Sequence, residues 1–170
     1  MLLETPRLRL RPFVPEDAEA LFEYRSDPEV MRYIATGTDR TIEDTHKVLD
    51  RYFKHQEKYG FSKWAVELRE SGELIGDSGL LVLEDGPDFE LGYRFARKYW
   101  GQGFATECAR AWLEAAFSRF GLERVVAFAH PDHAPSIRVM IKLGMTFERP
   151  VRFLGMDCVL YSINKNGFIV

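Results

Sequence analysis

The stretch Lys98-Tyr99-Trp100-Gly101-Gln102-Gly103-Phe104-Ala105-Thr106-Glu107 carries the densest chemical signal in the sequence. Gly101 and Gly103 let the backbone turn sharply and come close to a ligand. The apolar spacing that follows predicts a helix from about Gly103 to Phe120, with Ala105, Cys108, Ala109, Trp112, Ala116 and Phe120 as its buried stripe. Free N–H groups and the positive end of that helix would face the glycines. Such a turn is a ready diphosphate site, to which Lys98 adds a mobile positive charge. A P-loop is excluded because no Gly-Lys-Ser/Thr follows, and Gly101-x-Gly103-x-x-Thr106 lacks the third glycine of a dinucleotide fingerprint. The plain alternative for a lone Gly-x-Gly is a helix entry with no ligand.

Other reactive side chains are scattered. His130 and His133 sit in Ala129-His130-Pro131-Asp132-His133 without the further ligands a zinc site needs, so no metal is expected. Cys108 falls on the buried helix stripe and reads as an inert structural thiol, and Cys158 has no evident base partner. Group transfer, if any, is therefore expected by direct attack and without an acyl-enzyme.

The elements that must position these groups follow from hydrophobic period and breakers. Arg7 to Arg11 alternates as a half-buried strand and is stopped by Pro12 and Pro15. Its Arg7, Arg9 and Arg11 read as a solvated face. Pro15-Glu16-Asp17 starts a helix with Ala18, Leu21 and Phe22 inward. Pro28 and Gly37 leave only short helices between Ser26 and Thr41. Thr41-x-x-Asp44 opens a longer helix with Ile42, His46, Leu49, Phe53, Gln56 and Tyr59 on one face and Gly60 at its end. Trp64 to Leu68 and Leu74 to Leu83 pair as a hairpin about Ser71-Gly72, and Phe89 to Phe95 is the next strand, with Gly92 marking a bulge or a close approach. Beyond the glycine-rich turn and its helix come a strand at Arg124 to Ala129 and a helix from Pro135 to Leu143 closed by Gly144. An antiparallel pair, Phe147 to Phe153 with Cys158 to Ile163, ends the chain. This order predicts one α/β domain over residues 1–170, with a mixed, mostly antiparallel sheet of about seven strands and helices on both faces.

The net charge of -3 over 170 residues leaves no basic excess for a nucleic-acid backbone. No apolar run approaches the roughly 20 residues of a membrane span, and Met1 to Arg7 lacks a signal-peptide core. Neither nucleic acid nor membrane is an expected partner, and a cytoplasmic protein, monomer or homodimer, is the reading.

Several segments in fixed order resemble the GNAT superfamily of N-acetyltransferases. Lys98-x-x-Gly101-x-Gly103 is similar to its acyl-CoA motif (Arg/Gln)-x-x-Gly-x-(Gly/Ala), with lysine in the first place. Tyr99-Trp100-Gly101-x-Gly103-Phe104-Ala105-Thr106-Glu107 looks like the RimJ/RimL subfamily of ribosomal-protein N-terminal acetyltransferases. So do the opening Thr5-x-Arg7-Leu8-x-Leu10-Arg11-Pro12, the hairpin Gly72-x-Leu74-Ile75-Gly76 and the run Ser136-Ile137-Arg138-x-x-x-Lys142-Leu143-Gly144-Met145. The family has asparagine three residues before this serine, at the pantetheine arm, and here that position is His133.

The resemblance implies acetyl-CoA as co-substrate and an amine acceptor. It places the cofactor on Lys98, Gly101, Gln102, Gly103, Phe104, Ala105, Thr106, His133 and Ser136. Backbone N–H groups of Arg94, Phe95 and Ala96 would meet the pantetheine and the acetyl oxygen. It makes Glu90 the candidate general base, against a solvent-facing strand carboxylate. Tyr161 is the candidate acid for the leaving thiolate, against a core tyrosine, and Ser136 lies beside the thiol, against a plain helix-start serine. Asp157 could bind the amine or be an ordinary turn residue. Tyr24, Tyr33, Phe53, Tyr59 and Trp64 could shape an acceptor pocket or simply pack. The leading acceptor is a protein N-terminal amine. A small amine, or a non-catalytic acyl-CoA-binding role, stands as the alternative.

Overall fold

The computed structural model describes residues 2–84 and 88–169. Its strands are β1 (Leu3–Glu4), β2 (Leu8–Arg11), β3 (Lys63–Leu68), β4 (Leu74–Val82), β5 (Phe89–Phe95), β6 (Arg124–Ala129), β7 (Thr146–Phe153) and β8 (Met156–Asn164). Its helices are α1 (Ala18–Arg25), α2 (Pro28–Met31), α3 (Ile42–Tyr59), α4 (Phe104–Ser118) and α5 (Ala134–Lys142). The strands form a single sheet of eight in the order β1-β2-β3-β4-β5-β6-β8-β7. All neighbours are antiparallel except β5 and β6. The strand beyond the expected seven is β1, whose two residues are too short to show a period.

Alternation along the strands gives the sheet two apolar faces. Trp64 and Val66, Leu80, Leu91 and Phe95 pack with Cys108, Trp112 and Ala116 of α4 and Met140 of α5. On the opposite face Ala65 packs with Leu21 and Tyr24 of α1, Val30 and Met31 of α2 and Leu49 of α3. Trp64 and Trp112 meet edge to face at 4.7 Å in the larger core.

Helix α3 starts as its capping pattern predicts, Asp44 accepting from the Thr41 N–H at 3.2 Å, and ends at Gly60 with φ +80°. Its buried side overlaps the expected stripe at Ile42, Leu49 and Phe53, which pack in the smaller core, and is rotated from it elsewhere. Thr45, Val48 and Leu49 are buried, whereas His46 and Tyr59 are exposed. The rotation follows from Thr45, whose hydroxyl donates to the buried Asp39 carboxylate at 2.7 Å. Asp39 in turn takes the Arg25 guanidinium bidentately, at 2.7 and 2.9 Å. No described helix is long and apolar enough to cross a membrane.

Two stability predictions follow from these contacts. Asp39→Ala strands the Arg25 charge, whose side chain is 3% exposed, and should cost about 3–5 kcal/mol in chemical denaturation; a loss of a few tenths would show that the pair is not needed. His55 accepts the Val82 N–H at Nε2, 3.0 Å, so its Nδ1 donates to the Phe61 carbonyl at 2.7 Å. Burial lowers its pKa from the ordinary value, so its contribution is present above about pH 6.5 and lost as pH falls through the lowered value. Thermal melts between about pH 7.5 and pH 5 should show acid destabilisation that His55→Leu reduces. His133, lowered likewise by burial and by His130, keeps its share in both proteins.

Candidate active site

Glu90 stands where the sheet begins to split. β5 and β6 are joined by a single register pair, Glu90 opposite Val126, while β5 runs on to Phe95. On its other edge β5 stays paired with β4 throughout, from Val82 opposite Phe89 to Gly76 opposite Phe95. The Ala96 N–H donates to the Ile75 carbonyl at 2.9 Å. By the alternation of an antiparallel ladder the Arg94 N–H points the same way, and those of Tyr93 and Phe95 point into the split. The expectation of ligand-facing amides at Arg94, Phe95 and Ala96 is therefore corrected: β4 uses those of Arg94 and Ala96, and Tyr93 joins Phe95.

The same alternation puts the candidate side chains on opposite faces. Glu90, Gly92 and Arg94 face α1–α3. Glu90 is no solvent-facing carboxylate: its side chain is 18% exposed and pairs with the buried Lys63 ammonium at 3.3 Å. The Arg94 guanidinium lies 3.8 Å from Asp77, which accepts the Tyr24 hydroxyl at 2.8 Å.

Tyr93 faces α4 and α5. Its hydroxyl donates to the Ser136 carbonyl at 2.9 Å and lies 3.2 Å from Ser136 Oγ, which ties β5 to α5 across the split. Ser136 is thus held beside β5, on the side away from Glu90. Tyr161 is on β8 opposite Ala127, edge to face with Phe147 at 5.7 Å and against the α4-side core. It shares no hydrogen bond with Ser136. Asp157 pairs with Arg152 on the surface.

Past β5 the chain turns through Arg97–Tyr99 and enters α4 at Gly103. Gly101 and Gly103 have φ of +74° and +82°, which an L side chain resists. Around Gly101 an added Cβ would meet nothing within 4 Å. No side chain caps α4, so the N–H groups of Phe104, Ala105 and Thr106 begin the helix without a capping partner. Several contacts hold the turn: Trp100 Nε1 donates to the Phe95 carbonyl at 2.8 Å, Gln102 Nε2 to the Lys98 carbonyl at 3.2 Å, and Arg97 pairs with Asp27 at 2.8 Å.

Three charges are placed differently from expectation. Lys98 is not a free cation, since its ammonium sits 2.7 Å from Glu73. Arg7, just before β2, and Arg11 at its end are not part of a plain solvated row. Arg7 pairs with Glu107 at 2.6 Å, donates to the Gln102 carbonyl at 2.9 Å and lies 4.4 Å over the Phe104 ring. Arg11 bridges Asp17 and Glu67 at 2.7 and 2.6 Å.

His133 precedes α5, and its ring stacks on Tyr33 at 4.7 Å, with His130 on the same tyrosine at 5.1 Å. Tyr33 follows α2, so the stack joins the α2 side to the β6–α5 side. Tyr24 packs with α1–α3 and Trp64 with α4, so the expected aromatic group is divided between the cores. The Cys108 thiol is fully buried and pushed up to about 12 by burial, consistent with an inert group. Sequence reasoning missed Lys63, the Tyr93 hydroxyl and Arg97. Tyr93 could have been found from the strand alternation, but Lys63 reaches Glu90 from two strands away and leaves no local pattern.

Comparison with known proteins agrees with this geometry. The family model described as "Acetyltransferase (GNAT) domain" matches residues 7–146. The chain is 35% identical over 153 residues to the uncharacterized N-acetyltransferase YoaA of Bacillus subtilis, covering 89% of this chain and 86% of that one. It is 33% identical over 184 residues to the FsC-acetyl coenzyme A-N(2)-transacetylase of Aspergillus fumigatus, covering 98% and 77%. The crystal structure of a GNAT-family acetyltransferase from Bacillus anthracis superposes with a TM-score of 0.86 at 31% identity, covering 98% of this chain and 99% of that one. The split between β5 and β6, the uncapped glycine entry to α4 and these matches lead to one conclusion: the chain belongs to the GNAT family and is an acetyltransferase.

Proposed function

We propose that the chain moves the acetyl group of acetyl-CoA to a primary amine that reaches Glu90 from the α1–α3 side of the sheet. The observation that supports this most is the pairing of an acidic side chain with an opening strand. Glu90 occupies the last position at which β5 and β6 pair, and the next inward amides, Tyr93 and Phe95, have no strand partner on that edge. The residues fit the cofactor. The amides of Tyr93 and Phe95 suit the amide-bearing pantetheine arm. The open glycine turn and the amides of Phe104, Ala105 and Thr106 suit a diphosphate. Gly101, Gln102 and Gly103 form the backbone of that cradle, while Lys98 shares its charge with Glu73. When bound, acetyl-CoA supplies a thioester carbonyl open to attack.

The two faces then divide the work. The acceptor nitrogen joins the acetyl carbon, the carbon–sulfur bond breaks, and one proton passes in net from nitrogen to sulfur. Glu90 takes the nitrogen's proton, directly or through a water. The sulfur's proton comes from the opposite face, where Ser136 is held by Tyr93 and where Tyr161 also lies. His133 stands next to Ser136's helix as the replacement for the family asparagine. The buried, high-pKa Cys108 leaves direct attack as the route.

A protein N-terminal amine, as in the RimJ/RimL type, is the leading acceptor. An α-amine with a pKa of about 7.7–8.0 is partly neutral near pH 7 and needs less help than a side-chain amine near 10.4. The Aspergillus relative, whose name puts the acetyl group on an N(2) nitrogen of FsC, favours a second reading with a compound as acceptor. Thiol release measured against peptides with free N-termini and against small amines separates the two.

With whichever acceptor is turned over, Glu90→Gln should lower kcat at neutral pH at least tenfold, a positioned base contributing roughly 10²–10⁴-fold. Acetyl-CoA affinity should stay unchanged, and part of the rate should return at high pH as free amine accumulates. Equal pH–rate profiles for the two proteins would remove Glu90 from the reaction.

A further inference from the structure

Lys63 begins β3, two strands away from Glu90, yet its ammonium reaches the Glu90 carboxylate. The register explains how. Lys63 is opposite Gly79 of β4, and Gly79 is opposite Gly92 of β5. The lysine stem therefore crosses the sheet over two residues without side chains. Its Nζ donates to the Gly79 carbonyl at 3.0 Å and to Glu90 Oε2 at 3.3 Å. The fit at Gly92 is close: a Cβ there would lie 2.1 Å from Lys63 Nζ and 3.0 Å from Glu90 Oε1. The space over Gly92, which suggested a bulge or a close ligand approach, is taken by these two side chains. Both are largely withdrawn from water, Lys63 at 7% and Glu90 at 18% exposure.

A lysine buried this way is costly unless it is paired and hydrogen-bonded, and a shorter route to a surface carboxylate would satisfy it equally well. This one instead ends on the carboxylate of the residue at which β5 and β6 pair. We propose that Lys63 is a positioning residue for Glu90. Its ammonium engages Oε2 and sits, together with Oε1, over Gly92, the next residue of that face along β5. A carboxylate in a fixed rotamer presents its oxygen to the incoming nitrogen in one geometry, and displacement of a reacting group by about 1 Å can cost on the order of 100-fold in rate. The proposal rests on Glu90 being the general base, and Lys63 acts only through it.

The test is a cycle of four proteins: wild type, Lys63→Met, Glu90→Gln and the double variant, each assayed for kcat and for the KM of acetyl-CoA. Lys63→Met should lower kcat by about tenfold or more, with the KM for acetyl-CoA within about twofold of wild type. In the Glu90→Gln background the same substitution should add no further loss, because the group it positions is already gone. Gly92→Ala is the second probe, for the case in which Lys63→Met fails to fold. It keeps both charges, displaces the flexible end of the lysine and presses on Glu90 Oε1, and it should reproduce the kcat loss. If Glu90→Gln is impaired while Lys63→Met or, in its place, Gly92→Ala retains wild-type kcat, the positioning role is overturned and the base assignment stands. An equal loss from Lys63→Met with and without Glu90 would also overturn it, by showing a purely structural effect. Wild-type kcat in Glu90→Gln would overturn both.

Discussion

A strand's backbone has two edges, and buried N–H and C=O groups on both must find partners. β5 satisfies one edge against β4 along its whole length, but on the other edge it meets β6 at a single pair. The parallel arrangement matters here. β5 and β6 are the only parallel neighbours among the described strands, and the crossover between them contains the glycine turn and α4. The segment that leaves the open edge of β5 therefore leads directly into the N-terminus of a helix. Unpaired amides and a positive helix end come from one connection. An extended, amide-bearing ligand with a diphosphate at one end matches both.

Alternation then sorts the side chains. Odd-numbered residues of β5, among them Tyr93, pack toward α4 and α5 and tie Ser136 to the strand. Even-numbered residues, Glu90 and Arg94, face α1–α3 with their own charge partners, Lys63 and Asp77. On the proposed function, one strand thus serves a carrier on one side and an acceptor on the other. The helices over the acceptor face are held by the buried Arg25–Asp39–Thr45 group, while Arg97 joins the glycine turn to the start of α2 through Asp27. The two sides of the split are linked by the Tyr93–Ser136 hydrogen bond and the Tyr33–His133 stack.

Much of this was legible in the sequence because its signals are local. The helix after Gly103, the Thr41–Asp44 start of α3 and the strand Phe89 to Phe95 all rest on period, caps and glycines, and they appear nearly where they were read. Four features were not legible. β1 is too short to have a period. The buried side of α3 is set by Thr45 and its link to Asp39, a contact made only after folding. The direction of the Ala96 amide depends on which edge of β5 is paired, which no residue type encodes. Lys98 and Arg7 looked free because the carboxylates they meet, Glu73 and Glu107, are distant in sequence. The family motifs marked the glycine turn before α4, but the lysine behind Glu90 depends on Gly79 and Gly92 lying side by side in the folded sheet.

Amide hydrogen exchange at single-residue resolution, with and without CoA, addresses the open edge of β5 most directly. CoA should slow exchange at Tyr93 and Phe95 and at Phe104, Ala105 and Thr106. Arg94 and Ala96, already donating to β4, should be slow in both states and change little. Protection that appears at Arg94 and Ala96 instead, or that leaves Tyr93 and Phe95 unaffected while CoA is bound, would contradict the reading of the split strand as the carrier site.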